Sequence, residues 1–305
     1  MKIFITGHNG FIGSAMVERL KDQHDLLYLE HDLRDHDNVR LELLKADPEI
    51  IVHLAARTEV EQSFYEQVTF SDINYTGTIN LIEAAKDLKH LKNFVFASTM
   101  EVYGWQPISD VIRDGQEDPH NLPAFDESTQ PNPNAPYAVA KYGCEKYLEY
   151  ASRSYGLPFT AIRQTNSYGR KDNDFFVTEQ IITQMLRNPK EINLGYGDPY
   201  RNFIYIDDLL DAWQSVIENP DQVSNEIFCI GPNNPIRIRD YATMIAKKLD
   251  WQGDINWNTK LKRPGEIYLL NSTNEKITSH TGWKPNVSLS AGVDRTIETW
   301  KSFYK

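Results

Sequence analysis

The chain has 305 residues, of which 40% are hydrophobic, 25% charged and 11% aromatic; this is ordinary globular composition, long enough for a sizeable core, and it excludes disordered and fibrous classes. The 32 basic against 43 acidic side chains leave a net charge of -11, which disfavours nucleic acid or an anionic membrane surface as the main partner, so any phosphate has to be bound locally. Two cysteines, Cys144 and Cys229, lack CxxC spacing and argue against a disulfide scaffold or a zinc cluster; with no signal-type N-terminus and no 18-residue apolar run, the expectation is a soluble, cytoplasmic protein with no metal site and no membrane partner.

Strand and helix signals come in βα order. Lys2 to Thr6 reads as a short apolar strand, Phe11 to Lys21 as a helix, Asp25 to Glu30 as a second strand and Val39 to Lys45 as a helix. Glu49 to Leu54 is continuously apolar, the signature of a strand buried on both faces. A long helix is expected over Ile73 to Leu88 and another buried strand over Asn93 to Ala97. A looser Pro-rich segment, Gln106 to Pro136, precedes a helix over Tyr137 to Tyr155, and Phe159 to Arg163 and Glu226 to Ile230 are further strands. From Asn166 the pattern is less regular, with helices over Phe176 to Arg187 and Ile238 to Leu249 and turns such as Gly195 to Pro199.

This succession implies an α/β fold: a doubly wound parallel sheet of Rossmann type with a smaller, interleaved C-terminal substrate lobe. The expected division is 1–165, with segments from about 203–230 returning to the sheet, and 166–202 with 231–305 as the second lobe.

Thr6-Gly7-His8-Asn9-Gly10-Phe11-Ile12-Gly13 is a GxxGxxG turn between the first strand and first helix. Glycines there let the backbone approach a pyrophosphate, whose charge the helix N-terminal amides stabilise. Gly7, Asn9, Gly10, Phe11, Ile12 and Gly13 are therefore candidate cofactor residues. Glu30, ending the second strand, is placed to accept hydrogen bonds from both ribose hydroxyls and to repel a 2'-phosphate, which favours NAD over NADP. Asp32 and Leu33 are expected near the adenine, and Leu54, Ala55 and Ala56 end the third strand with little bulk against a cofactor.

Tyr137 and Lys141 stand four residues apart, on one helix face. A nearby cation favours phenolate and lowers a tyrosine pKa, which fits the phenol to act as a base near neutral pH. Ser98-Thr99-Met100-Glu101-Val102-Tyr103-Gly104 places a hydroxyl at the C-terminal end of a strand, where open α/β sheets bind ligands.

Together these segments resemble the extended short-chain dehydrogenase/reductase family, in particular its nucleotide-sugar epimerases, dehydratases and decarboxylases. The resemblance spans nearly the whole chain through TGHNGFIG, HLAA at His53 to Ala56, Asn74 with Gly77, STMEVYG, YAVAK at Tyr137 to Lys141, RQTNSYG at Arg163 to Gly169, RNFIYIDDL at Arg201 to Leu209 and RPGE at Arg263 to Glu266. It implies Tyr137 as the base on a sugar hydroxyl, Lys141 holding the nicotinamide ribose, Thr99 bonding the same sugar oxygen, Asn74 near the cofactor, and Asn166, Arg201 and Arg263 on a substrate diphosphate. It also implies a homodimer pairing the Ile73 to Leu88 and Tyr137 to Tyr155 helices.

Where dehydratases of the family follow the Thr with Asp-Glu, this chain has Met100-Glu101. Met100 is then expected against the sugar without an acid's role, and Glu101 as a base toward C5. The short connection after Glu30 is similar to that of relatives acting on deoxysugars. The function expected is an NAD-dependent nucleotide-sugar epimerase or dehydratase that forms a transient 4-keto sugar. Decarboxylation of a uronate or reduction of a 4-keto sugar is the alternative within enzymology, and a dinucleotide-sensing protein without turnover is the alternative outside it.

Overall fold

The computed structural model describes residues 1–113, 115, 117–259 and 263–304. Asp114 and Gln116 of the expected loose segment, and Lys260, Leu261, Lys262 and Lys305 of the expected second lobe, lie outside the described residues.

Apolar strands alternate with helices through the first half: β1 (Lys2–Thr6), α1 (Phe11–Leu20), β2 (Asp25–Tyr28), α2 (His36–Ala46) and β3 (Ile50–His53). Two short helices, α3 (Val60–Ser63) and α4 (Gln67–Ser71), lead through a π-helical turn over Asp72–Thr76 into α5 (Gly77–Ala85) and β4 (Asn93–Thr99). The long helix expected over Ile73 to Leu88 is thus shorter and enters through a wider turn. Next come α6 (Pro107–Arg113), α7 (Pro136–Tyr155) and β5 (Phe159–Gln164). Pro136 fits the first turn of α7, and Gly156, in the left-handed region at φ 72°, ends it.

The less regular half holds β6 (Asn166–Tyr168), α8 (Val177–Arg187), β7 (Glu191–Asn193), β8 (Tyr200–Arg201), β9 (Phe203–Tyr205), α9 (Ile206–Glu218), α10 (Pro220–Val223) and β10 (Glu226–Ile230). It closes with β11 (Ile236–Arg237), α11 (Ile238–Leu249), β12 (Asp254–Asn256), β13 (Leu269–Leu270), α12 (Glu275–Thr281) and α13 (Leu289–Lys301).

Six parallel strands form the main sheet in the order β10-β5-β4-β3-β1-β2. Because side chains alternate along a strand, Ile3, Ile5, Val52, Val95 and Ile162 pack on one face with Trp213 and Leu209 of α9. Phe4, Ile51, Phe94, Phe96 and Ala161 pack on the other with α2, α5 and α7 through Leu43, Leu81 and Leu148. Helices therefore cover both faces, as a parallel sheet requires. Two-residue and three-residue strands with α8, α11 and α13 enclose a separate apolar cluster around Ile181, Tyr241 and Val293. Strand order reverses beside β1, so a crevice opens at the C-terminal ends of β1, β3 and β4, the position where doubly wound sheets take ligands. Among the described residues, no helix is long and apolar enough to cross a membrane.

Candidate active site

One cleft of about 550 Å³ runs from the glycine turn past β4 and α7 to the C-terminal strands. At its first end Gly7 adopts φ 72°, and a Cβ there would stand 2.6 Å from the Ala55 amide nitrogen, so the β1–α1 turn lies directly on the end of β3. The first amides of α1 have no carbonyl partner four residues back within the helix and are available to an anion. Gly7, Gly10, Phe11, Ile12, Gly13, Leu54 and Ala56 line the cleft. These residues fit a dinucleotide pyrophosphate: little bulk, unpaired donors and a helix N-terminus in one place.

A buried chain of hydrogen bonds braces this floor. The Ala55 N–H donates to Thr6 Oγ1, Thr6 Oγ1 meets His53 Nδ1 at 2.6 Å, His53 Nε2 meets Thr78 Oγ1 at 2.8 Å, and Thr78 donates to the Asn74 carbonyl. Burial, with a smaller contribution from Lys141, pushes the His53 pKa down to about 3, so the ring is neutral. Asn74 spends its amide on the Arg57 backbone, accepting from N–H and donating to C=O, both at 2.8 Å. It acts on the cleft through the Arg57 loop, which differs from the direct cofactor contact expected of it.

Glu30 lies on the exposed rim beyond β2, outside the cleft lining, where its backbone N–H donates to Glu42. Asn9 is likewise exposed on the rim. The Asp32 carboxylate accepts from the Arg34 backbone and guanidinium at 2.7 and 2.9 Å, and these bonds hold its pKa down at about 2. That ion pair competes with the expected adenine contact. Leu33 is buried in the core, close against Gly77, instead of reaching the rim with its side chain.

At the middle of the cleft Thr99 ends β4 and caps the following turn by accepting from the Glu101 N–H at 3.2 Å. Gly104, at φ 55°, ends the turn where a Cβ would stand 1.9 Å from the Asn132 carbonyl oxygen. Tyr137 and Lys141, one turn apart on α7, reach the same space, with the Tyr137 hydroxyl near Thr99. The expected lowering of the Tyr137 pKa by Lys141 is absent here. Desolvation pushes the phenol above its ordinary value, the Glu101 charge adds to that, the nearby Thr99 hydroxyl opposes it, and Glu59 raises it further. Lys141 instead donates to the Ala97 carbonyl at 2.8 Å and lies over the Phe96 ring. Burial lowers its pKa to about 8, against weaker raising effects from Cys144 and Glu145.

Glu101 is 8% exposed and lines the cleft, yet its carboxylate makes no hydrogen bond or ion pair among the described residues. Met100 is buried beside it with Val102, Tyr103, Phe125 and Leu270, presenting its edge to the cleft. Beneath them, Arg163 pairs with Glu145 at 2.7 Å inside the fold, and Ser98 donates to the same carboxylate.

At the far end Arg201 and Arg263 converge on Glu266. Arg201 Nη2 and Arg263 Nη2 donate to Glu266 Oε1 at 2.8 and 3.0 Å, and Arg201 Nη1 also donates to the Ile267 carbonyl. Burial alone raises the Glu266 pKa, but the two guanidinium groups reverse this and leave it lowered. Asn166, at the start of β6, is exposed and lines the same cleft. Glu59, Arg170, Tyr196, Trp257 and Glu266 also line it and were missing from the expected site. Glu266 stood within the quoted RPGE segment and Arg170 directly after RQTNSYG, so both were adjacent to a visible signal.

The model of the NAD dependent epimerase/dehydratase family matches residues 3–231, and the chain belongs to that family. It is 27% identical over 348 residues to dTDP-glucose 4,6-dehydratase 1 of Escherichia coli, covering 99% of this chain and 93% of that protein. Among solved structures, UDP-glucose 4-epimerase of Thermotoga maritima with UDP-glucose is similar at a TM-score of 0.87 and 26% identity, covering 100% of both chains. The dTDP-glucose 4,6-dehydratase DesIV of Streptomyces venezuelae shares the fold at a TM-score of 0.85 and 24% identity, covering 99% of this chain and 97% of that one. The chain is accordingly an NAD-dependent enzyme of the epimerase/dehydratase type.

Proposed function

We propose, from the premise of that family membership, that the cleft oxidises C4 of a nucleoside-diphosphate sugar and then acts at C5 or returns the hydride with inversion. The observation that carries the proposal is the single cleft itself, with a dinucleotide cradle at one end, Thr99, Tyr137 and Lys141 in the middle, and two arginines joined on one carboxylate at the other. Residues 166–202 and 231–305 supply most of the nucleotide-sugar end, and 1–165 with β10 the cofactor end.

NAD, when bound, supplies the acceptor and later donor of the hydride at C4. Tyr137 takes the proton of the C4 hydroxyl, and Thr99 orients that oxygen. Lys141 holds the nicotinamide ribose. Gly10, Phe11, Ile12 and Gly13 hold the pyrophosphate, with Leu54, Ala55 and Ala56 beneath, and Glu30 selects the ribose. Arg201, Arg263 and Asn166 receive the substrate diphosphate; bidentate guanidinium contacts suit its oxygens. Glu101 removes the C5 proton once C4 is a ketone, because the resulting anion is delocalised into the carbonyl. That the buried Glu101 has no carboxylate hydrogen bond among the described residues supports that assignment. Met100 carries no proton for a leaving 6-hydroxyl, so elimination requires another acid.

The test is incubation of the NAD-loaded enzyme with UDP-, GDP-, CDP- and dTDP-linked neutral sugars in D2O, read by NMR. Deuterium at C5, lost in Glu101→Gln while C4 oxidation persists, is the expected result. C4 inversion without C5 deuterium and with an active Glu101→Gln variant identifies a plain 4-epimerase and removes Glu101 as base. No conversion of any sugar in the panel refutes the substrate assignment.

A homodimer is proposed as well. It is supported by Tyr65, Val68 and Tyr75 beside α4 and the π turn, and Val139 and Tyr150 on α7, all large and exposed. Sedimentation equilibrium of the wild-type protein decides it, and a monomer at micromolar concentration overturns it.

A further inference from the structure

Arg170 follows β6 directly, yet its guanidinium lies against the cofactor end of the cleft. Its carbon Cζ stands 4.3 Å from the centre of the Phe11 ring and 3.8 Å from that of Phe176. Phe11 begins α1, the helix whose N-terminus faces the pyrophosphate cradle; Phe176 immediately precedes α8. The side chain is therefore held between the glycine turn and the substrate-side helix, with 7% of the residue exposed and lining the cleft.

The donors of this guanidinium are only half used. Nη1 donates to the Ser167 carbonyl at 2.6 Å and stands 3.5 Å from Glu179 Oε2, whereas Nε and Nη2 donate to no described residue. Glu179 does not fill the gap. Its Oε1 accepts the backbone N–H groups of Gly169 and Arg170 at 2.9 Å each, while the buried Oε2 has no hydrogen-bond partner. Burial weakens both charged forms: it lowers the Arg170 pKa and raises that of Glu179, and their mutual attraction only partly opposes this. A buried guanidinium with a planar edge of unpaired donors is poorly satisfied alone and well suited to two phosphate oxygens.

We propose that Arg170 binds the pyrophosphate of NAD beside the glycine cradle. The cofactor pyrophosphate is favoured over the sugar diphosphate because the guanidinium is stacked on Phe11, whereas Arg201 and Arg263 occupy the far end of the cleft. This inference rests on the NAD assignment of the cleft and not on its sugar chemistry.

The test uses full-length protein stripped of cofactor, with NAD and ADP-ribose affinities measured by calorimetry for wild type, Arg170→Gln, Arg170→Lys and Glu179→Gln. Arg170→Gln should weaken both ligands about tenfold or more, the scale of one lost charged hydrogen bond. Its log Kd should also depend less steeply on log salt. Arg170→Lys should lose less, and Glu179→Gln, which frees the guanidinium from its competing carboxylate, should bind at least as tightly as wild type. Unchanged affinity in Arg170→Gln overturns the proposal. So does equal weakening in Arg170→Gln and Glu179→Gln, which marks a structural ion pair, or a loss seen with NAD but absent with ADP-ribose, which places the contact on the nicotinamide side.

If Arg170→Gln does not fold, the arginine Nε–H signals of wild type and Arg170→Lys carry the test. NAD must shift the resonance missing from the lysine variant, and no shift overturns the assignment. A wild-type protein that binds no NAD refutes the cofactor assignment together with this inference. One that binds NAD through Arg170 but converts no sugar refutes only the substrate.

Discussion

Replacing Lys141 by Met should make the cofactor-free protein more stable while it destroys activity. The ammonium is fully enclosed, with the residue 2% exposed, and its pKa falls from 10.5 to about 8. A displacement of roughly 2.5 units at about 1.4 kcal/mol each puts the cost of burying the charge at about 3 kcal/mol. Loss of the bond to the Ala97 carbonyl takes back about 1.5 kcal/mol, and the thioether fills most of the vacated volume. The net expectation is a gain of about 1 to 2 kcal/mol at pH 7.

The sign of the pH dependence follows from proton counts. Between about pH 8 and 10.5 the folded wild type binds fewer protons at Lys141 than the unfolded chain, so its stability from this group rises with pH. The advantage of Lys141→Met is therefore full below pH 8 and disappears toward pH 10.5. Reversible urea unfolding of both proteins at pH 7 and 9.5, without cofactor, measures it. A variant less stable than wild type at pH 7, or a difference that does not shrink at pH 9.5, refutes the account of a penalised buried charge.

Tyr137→Phe should lower turnover about 100-fold or more with NAD affinity nearly unchanged, by steady-state kinetics and calorimetry, because it removes the base and little surface. Arg201→Ala should raise the substrate KM at a cost of about 2 kcal/mol or more, with NAD affinity spared; among the described residues the change leaves Glu266 paired with Arg263 alone. Glu30→Ala should narrow the preference for NAD over NADP in parallel titrations, as its proposed place beside the ribose requires, and a wild-type preference for NADP contradicts that role.

The sheet was legible because strands with unbroken apolar runs, Ile50–Val52 in β3 and Phe94–Ala97 in β4, carry the mark of burial on both faces, and glycine spacing placed the turn after β1. The π turn before α5 was not legible. It arises from tertiary demands on one short stretch: Asn74 must clamp Arg57 while Thr78 receives His53, and periodicity holds no record of either. The second half was harder for a related reason. Strands of two or three residues, such as Tyr200–Arg201 and Leu269–Leu270, owe their pairing to partners elsewhere in the chain and not to local propensity. Among site residues, Tyr137 and Lys141 share a helix face that spacing reveals, but the absence of a lowered Tyr137 pKa follows from burial and from Glu101 and Glu59, which spacing does not report.

The arginines of the cleft follow one physical rule that only the folded chain displays. A buried guanidinium without a partner is costly, so each arginine proposed to meet a phosphate must be held by a carboxylate when no ligand is present. Glu266 does this for Arg201 and Arg263, from 65 and 3 residues away. Glu179 does it less completely for Arg170, at 3.5 Å with one oxygen left over. A phosphate binding there as proposed would meet arginines whose desolvation the carboxylates offset only in part, and would exchange a carboxylate contact for a phosphate contact. Affinity at each end then depends on how well the carboxylate already satisfies its arginine.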